Sequence, residues 1–585
     1  MSATAMRTHR CGDLGPEQRG LKVAVCGWVA HRRDHGGVVF LDLRDVAGLV
    51  QVVVDPTTVE GHPAHDIRHE YVLRVEGTVR DRPDGTVNPD LPTGAIEVAA
   101  TRVELLNRAE PPPIPIDDRV EADEVKRLRY RYLDLRSARL QRNLHRRAAV
   151  NQALRTVMEQ RGFTEIETPV LIASTPEGAR DFVVPSRLTP GSFYALPQSP
   201  QLLKQLLMVA GYDRYYQIAR CLRDEDPRAD RQFEFVQLDA EMSFADADDV
   251  MTVLGDAVHA AITAATGTPP PAPRTLTYRD AMERYGTDKP DLRIARTIVD
   301  VSAALANTEV RAFQADTVRG LCLAGGADLG RGRLDALVER AKELGAGGLV
   351  WMRVRDAGAV DSPVAKFLSD TERAALLDAF DAAPGDLLLL VAGPPATCAH
   401  VLGALRTETA DPPDDTDMAL AWVVDFPLFE GIDDQGLPIP AHHPFTMPHP
   451  DDLELLETGS GPALLAIRSL SYDLVLNGWE LASGSVRVHD PTLQARIFTV
   501  LGISDEDARA RFGFLLDAFR YGAPPHAGFG MGIDRLVAVL CHEQTIREVI
   551  AFPKTQSGAD PLTGAPSPLD PARLRELGLT IRPRT

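Results

Sequence analysis

The chain has 585 residues, 44% of them apolar and 25% charged, with a formal net charge of −20. That length is too great for one hydrophobic core and calls for roughly three or four domains. The composition is that of a soluble globular protein, and the acidity argues against a general nucleic-acid binder. Six scattered cysteines with no Cys-x-x-Cys pair argue against a zinc site or a disulfide framework and fit reduced thiols in a cytoplasmic protein. The N-terminus has no secretory signal pattern, and no apolar run is long enough to span a membrane.

Residues 21–104 predict short strands, because GWVAHRRDHGGVVFLDLRDVAGLVQVVVD alternates apolar and polar residues between Gly-rich turns. In VVFLDLRD, Val39, Leu41 and Leu43 share one face and Phe40, Asp42 and Arg44 the other. An aromatic ring on the polar face suits base stacking, as on single-strand-binding barrels of the OB type; the alternative is a ring covered by a loop. LNRAEPPPIPIDD (106–118) reads as a connector. KRLRYRYLDLRSARLQRNLHRR (126–147) carries nine Lys or Arg against one acid, Asp134. Such a stripe either contacts phosphates or is a solvated helix face. RRAAVNQALRTVMEQRGF predicts an amphipathic helix, and TEIETPVLI a strand interrupted by Pro169.

The segment RYYQIARCLRDEDPRADRQFEFVQLDAEMSF (214–244) predicts two antiparallel strands around a charged loop. Phe233, Phe235, Gln237, Asp239 and Glu241 then share a face. So many charges on one sheet face need a ligand, or partners of opposite sign, to offset their desolvation. From about 290 to 415 helix and strand patterns alternate, with GGLVWMRVR and GDLLLLVAG as buried strands and no polar constellation, which suggests an inserted domain. In SYDLVLNGWELASGSVRVH (471–489), Asn477-Gly478 is a two-residue hairpin signal. The turn pairs Val475 with Glu480 and sets Asp473 diagonal to Glu480, so the two carboxylates could share a metal. Strict alternation would put Arg487 on the opposite face; a bulge near Gly484 would correct this. In HAGFGMGIDRLVAVL (526–540), glycines permit close backbone approach to a ligand, and Arg535 lies in the first turn of an apolar helix. The chain has no GxxxxGK[ST] loop. The Pro- and Gly-rich tail after Pro553 suggests a weakly structured extension.

RDEDPRADRQFEF and GMGIDR resemble motifs 2 and 3 of the class II aminoacyl-tRNA synthetases, and the helix with TEIETPVLI resembles motif 1, the family's dimer interface. RRDHGG, RYRYLDLR, STPEGARDF, LPQSPQLLKQLLM, AHHPF, GSVRVH and IREVIAFPK follow in family order and narrow the resemblance to the bacterial aspartyl-tRNA synthetases. The chain departs from the family's usual pattern at Phe233 and at Ala482-Ser483-Gly484-Ser485.

The resemblance implies an α+β multidomain chain. Its divisions are an OB-fold anticodon-binding barrel (1–107), a hinge with the basic segment (108–143), a class II antiparallel-sheet catalytic domain in two parts (144–288 and 416–555), an inserted α/β domain (289–415) and a C-terminal extension (556–585). It implies that ATP activates L-aspartate as an adenylate, with Mg²⁺, before transfer to tRNA by a homodimer. Arg223 and Arg535 are the implied catalytic cations, on the α- and γ-phosphates. Asp224, Glu225, Gln232, Phe235 (stacked on adenine), Glu480, Gly532, Ile533 and Asp534 complete the implied ATP site, and Asp473 with Glu480 the metal site. Lys204 and Arg487 are the implied clamp on the substrate's side-chain carboxylate. Glu177 and Asp239 are the acids near its ammonium, with Ser199 and Gln201 nearby and His442 and His443 on a covering loop.

On the barrel, Phe40 and Gln51 match anticodon-reading positions, with Arg32 and Arg33 beside them. His35 in RRDHGG and Gly85 match relatives that charge both tRNA(Asp) and tRNA(Asn). The alternatives are a synthetase restricted to tRNA(Asp), an asparaginyl- or lysyl-tRNA synthetase, a tRNA-free ligase on the same fold, and a non-catalytic nucleic-acid binder. Two cations at the amino-acid position favour an anionic substrate side chain over lysine and, less strongly, over asparagine.

Overall fold

A computed structural model describes residues 4–174, 179–414 and 416–582. It divides into two compact units, residues 1–145 with 547–568, and residues 146–546 with 569–585.

The first unit is built on a five-stranded barrel: Lys22–His35, Val38–Asp45, Gly48–Val54, Val72–Asp81 and Ile96–Asn107. The first four pairings between neighbours are antiparallel, and Gly48–Val54 closes the barrel by lying parallel to Ile96–Asn107, Val52 opposite Val98. Val39, Leu41 and Leu43 are buried in its core, as their alternation predicts. Gly36 and Gly37, at φ +61° and +85°, make the two-residue turn after His35.

The basic segment is largely spent inside this unit. Arg131, only 2% exposed, donates to Asp134 at 2.6 Å and to the carbonyls of Arg547, Ile550 and Ala551 at 2.9–3.0 Å. Arg127 and Arg139 both pair with Glu548, and Arg136 stacks on Trp28 and pairs with Glu70. Open carbonyls and a buried acid need donors, so most of the stripe in this unit faces inward; Lys126, Arg129 and Arg142 stay exposed. The tail is more ordered than its composition suggests. The N–H of buried Thr555 donates to the Ala559 carbonyl, Asp560 bridges Ala565, and Asp570 caps the helix Pro571–Glu576.

In the second unit the long helix Ala138–Gln160 continues with Val150, Leu154 and Met158 buried at helical spacing and ends before Gly162 at φ +79°. The strand expected from TEIETPVLI shrinks to Thr164–Glu165; by Thr168 the backbone N–H donates to the Gln217 side chain at 3.0 Å instead of to a neighbouring strand, and Pro169 has no N–H to donate. The central sheet has eight strands in the order Arg274–Thr277, Leu420–Val424, Ser471–Leu476, Trp479–Val486, His526–Gly532, Glu234–Ser243, Arg214–Leu222 and Thr164–Glu165. Its six inner strands run antiparallel and its two outer pairings are parallel. Between its edge strand Arg274–Thr277 and the adjacent Leu420–Val424 the chain makes a second sheet, with strands that include Thr317–Leu323, Val350–Val354 and Leu387–Gly393, buried on both faces. Helix and strand alternate in this insert, yet every pairing in its sheet is antiparallel.

The centre of the main sheet depends on a small residue. A methyl group at Gly528 would be driven into the Glu241 carboxylate and the Ala240 carbonyl oxygen. Gly528→Ala is therefore expected to cost about 3 kcal/mol, the upper end for overpacking. A urea midpoint unchanged from wild type would show that the strands can separate there.

Candidate active site

The middle of this sheet opens into a cavity of about 500 Å³. Three sequence signals converge on it. The strands Arg214–Leu222 and Glu234–Ser243 pair in register from Arg214 opposite Met242 to Leu222 opposite Glu234, and present Phe235, Gln237 and Asp239 to the cavity. The hairpin turns at Asn477 and Gly478, both at positive φ, with Val475 opposite Glu480 as the turn requires. The bulge lies at Leu481, not near Gly484: the register steps from Val475–Glu480 to Leu474–Ala482. The step brings Ser483, Ser485 and Arg487 onto the cavity side with Glu480.

Three buried charges, Lys204, Asp239 and Arg487, line the floor, and a fourth, Glu241, pairs with both cations without lining the cavity. Lys204 directs its three protons to Asp239 Oδ2 at 2.9 Å, the Phe529 carbonyl at 3.1 Å and the Ala240 carbonyl at 3.2 Å, with Glu241 also 3.2 Å away. Arg487 donates to Glu241 from Nε at 2.9 Å and Nη2 at 3.3 Å, and from Nη1 to Ser485 Oγ at 2.7 Å and His443 Nε2 at 2.8 Å. Two cations thus balance two acids, which is how such burial becomes tolerable. Burial is the largest influence on both acids. It pushes Asp239 up against the pull of Lys204, whereas the Arg487 and Lys204 charges outweigh it at Glu241 and hold that carboxyl down. Burial, reinforced by Arg487, holds His443 well below the ordinary histidine range, so its ring is a neutral acceptor. Half-buried His442 packs edge-on against Phe426 at 5.3 Å.

Arg223 and Arg535 stand on the cavity wall. Arg223 lies 5.1 Å over the Phe235 ring and donates weakly to the Gln198 carbonyl at 3.4 Å. Among the described residues it has no carboxylate partner. Arg535 donates to the Glu480 carbonyl at 2.9 Å and lies 3.4 Å from Asp230 Oδ2. Glu225 pairs with Arg231 at 2.7 Å. Ser199, Gln201, Gln232 and Gly532 also line the cavity.

Three expected ATP positions stand differently. Asp534 borders the cavity, but its carboxylate pairs with Arg147 and accepts the Val236 N–H at 2.8 Å, which anchors the helix start to the strand. Ile533 is buried and Asp224 exchanges hydrogen bonds with Arg180; neither lines the cavity. Glu177 lies outside the described residues.

Asp473 is buried opposite Ser483, with Oδ1 unpartnered. Burial and then the like charge of Glu480 push its carboxyl well above the usual range. An orphaned carboxylate oxygen beside a second acid is what a hard cation would satisfy. No group of three or more His, Cys, Asp or Glu side chains at metal-binding distance occurs among the described residues.

In the barrel unit, half-buried Phe40 lies opposite Arg33 and Val53. Arg33 donates to Asp42 at 2.9 Å and Gln51 at 3.2 Å, and Gln51 donates to Glu97 at 2.9 Å. Arg32 pairs with Asp34. His35 is exposed, as is Gly85 at φ +79°. Sequence reasoning missed Glu241 as a site residue although it had placed it on the right face; its spacing from Asp239 was the available signal. Asp230, Arg231 and Ser485 were missed because loop and bulge geometry brings them in.

A closed five-stranded barrel and an antiparallel sheet that gathers lysine and arginine side chains around one cavity define a class II synthetase architecture. Residues 123–556 match the family described as tRNA synthetases class II (D, K and N), and residues 23–106 match the OB-fold nucleic acid binding domain. The chain belongs to this class II tRNA synthetase family. It is 50% identical to a protein of Moorella thermoacetica named "Aspartate--tRNA(Asp/Asn) ligase", over 98% of this chain and 96% of that one. A Kineococcus radiotolerans protein of the same name is 50% identical over 99% and 98%. Among solved structures, asparaginyl-tRNA synthetase from Pyrococcus horikoshii superposes with a TM-score of 0.60 at 21% identity, over 94% of this chain and 99% of that one, a likeness of fold.

Proposed function

We propose that the chain activates L-aspartate with ATP as aspartyl-adenylate and transfers it to the 3′ end of tRNA(Asp) and tRNA(Asn). The observation that carries the reading is the buried Lys204–Asp239 and Arg487–Glu241 network beside Arg223, whose charge meets no carboxylate among the described residues. The substrate's α-carboxylate attacks the α-phosphate of ATP and expels pyrophosphate. Arg223 holds the attacking carboxylate and the α-phosphate together, and Phe235 stacks on adenine with the ring face turned away from that guanidinium. Arg535 takes the terminal phosphate. These steps are positioning and charge neutralisation.

The substrate's side-chain carboxylate replaces His443 at Arg487 Nη1, because a charged oxygen is the stronger acceptor. Lys204, its protons already directed elsewhere, contributes field more than a hydrogen bond. A carboxamide would bring N–H donors against the same cations, so asparagine is disfavoured by repulsion as well as by lost attraction. Asp239, with Oδ1 unpartnered, takes the ammonium together with Glu177, Ser199 and Gln201.

Asp473 and Glu480 would hold Mg²⁺, which supplies neutralisation of the phosphates. Their fit has an activity-independent consequence: Mg²⁺ is expected to raise the thermal midpoint of wild type and leave Asp473→Asn unmoved. Equal shifts in both proteins would place the ion elsewhere. No helix among the described residues is long and apolar enough to cross a membrane, and a cytoplasmic homodimer paired through the helix Ala138–Gln160 completes the proposal.

Residues 1–107 bind the anticodon, with Phe40 stacking and Gln51 reading. Phe40→Ala is expected to raise the KM for tRNA by about 5- to 100-fold, the worth of one stacked base, with pyrophosphate exchange unaffected. Steady-state charging beside exchange kinetics checks this split. His35 and Gly85 support relaxed anticodon choice. Charging purified tRNA(Asp) and tRNA(Asn) side by side tests it: both should accept aspartate, and none on tRNA(Asn) would restrict the enzyme to tRNA(Asp).

A further inference from the structure

Behind the amino-acid floor lies a chain of hydrogen bonds whose direction is fixed at one end. His526 is fully buried, and its Nδ1 lies 2.8 Å from the Pro524 carbonyl oxygen. A carbonyl only accepts, so Nδ1 carries the proton and Nε2 of the neutral ring is an acceptor. Burial lowers the affinity of this ring for a second proton. Nε2 lies 3.0 Å from Gln205 Nε2, which must therefore donate. That fixes Gln205 Oε1 on the other side, where it accepts from Gln201 Nε2 at 3.2 Å. Gln201 and Gln205 are one turn apart on the helix Gln201–Val209, so their amides meet on one face. Only Gln201 of the three lines the cavity, and its Oε1 has no protein partner among the described residues.

We infer that His526 and Gln205 are positioning residues that lock the Gln201 amide with its carbonyl toward the substrate, so that Gln201 reads the ammonium of aspartate as a hydrogen-bond acceptor. The inference rests on the aspartate reading above. Without the lock, the amide can turn its NH₂ to the ammonium, where two donors face each other. A buried amide is otherwise a poor discriminator, since its two ends have nearly the same shape.

The test separates the ammonium from the rest of the substrate by using succinate, which is aspartate without its amino group. His526→Leu removes the anchoring acceptor and Gln205→Met breaks the middle of the chain. In each, the KM for aspartate in ATP–pyrophosphate exchange is expected to rise about tenfold, the worth of one hydrogen bond to a charged group. The inhibition constant for succinate and the KM for ATP should stay within about twofold of wild type. His526→Gln, which still offers a carbonyl to Gln205, should restore the aspartate KM. Two variants are used so that one misfolded protein does not decide the matter. If succinate and aspartate weaken together, or neither weakens, the lock is refuted and the residues only support the fold. A wild-type protein without aspartate-dependent exchange would instead refute the reading beneath it.

Discussion

Replacing Arg487 by leucine is expected to lower aspartate-dependent pyrophosphate exchange by about 1,000-fold and to destabilise the protein by about 3–5 kcal/mol. Both effects come from one guanidinium. It supplies the charge-assisted contacts that an aspartate side chain would use, and it neutralises Glu241, which is fully buried. In the variant, Glu241 keeps only Lys204, whose three protons already point to Asp239 and two carbonyls. A buried acid short of one partner costs several kcal/mol. The double variant Arg487→Leu/Glu241→Leu should recover much of the stability and none of the exchange. Thermal denaturation of the two variants beside exchange assays checks both halves.

Arg223→Ala is expected to behave in the opposite way on stability. Its side chain makes one weak hydrogen bond and one contact with the Phe235 ring, so the midpoint of unfolding should move by less than about 1 kcal/mol. Adenylate formation should nevertheless fall by about 1,000-fold or more, because this cation would meet charge that develops only as the α-phosphate is attacked. Arg223→Lys should recover little, since a point charge cannot fork between a carboxylate and a phosphate. Single-turnover adenylate formation gives the answer, and retention of wild-type rates in Arg223→Ala would contradict the role assigned to it.

The two charged strands and the Asn477-Gly478 turn were legible because short-range rules govern them: alternation sets faces, and two positive-φ residues set the register. The bulge was legible only as a need. Arg487 had to reach the same face as Glu480, but nothing local marked Leu481 rather than Gly484 as the residue to absorb the extra step. Asp534 shows the reverse failure. Its place in GMGIDR suggested ligand contact, whereas its carboxylate is held by Arg147, nearly 400 positions earlier in the chain. The basic segment misled in the same way, because its acid, Glu548, and its acceptor carbonyls come from the far end of the chain. Long-range pairing of charges leaves no periodic trace, so composition alone could not tell a phosphate-binding stripe from a clasp.

The claim that this site selects an anionic amino acid is tested most directly by ATP–pyrophosphate exchange with aspartate, asparagine, glutamate and lysine under identical conditions. Aspartate alone should support rapid exchange, with asparagine lower by about 1,000-fold, as expected when a neutral amide faces a site built around two cations. Comparable exchange with asparagine would contradict the account, because the Lys204–Arg487 network would then not be what chooses the substrate.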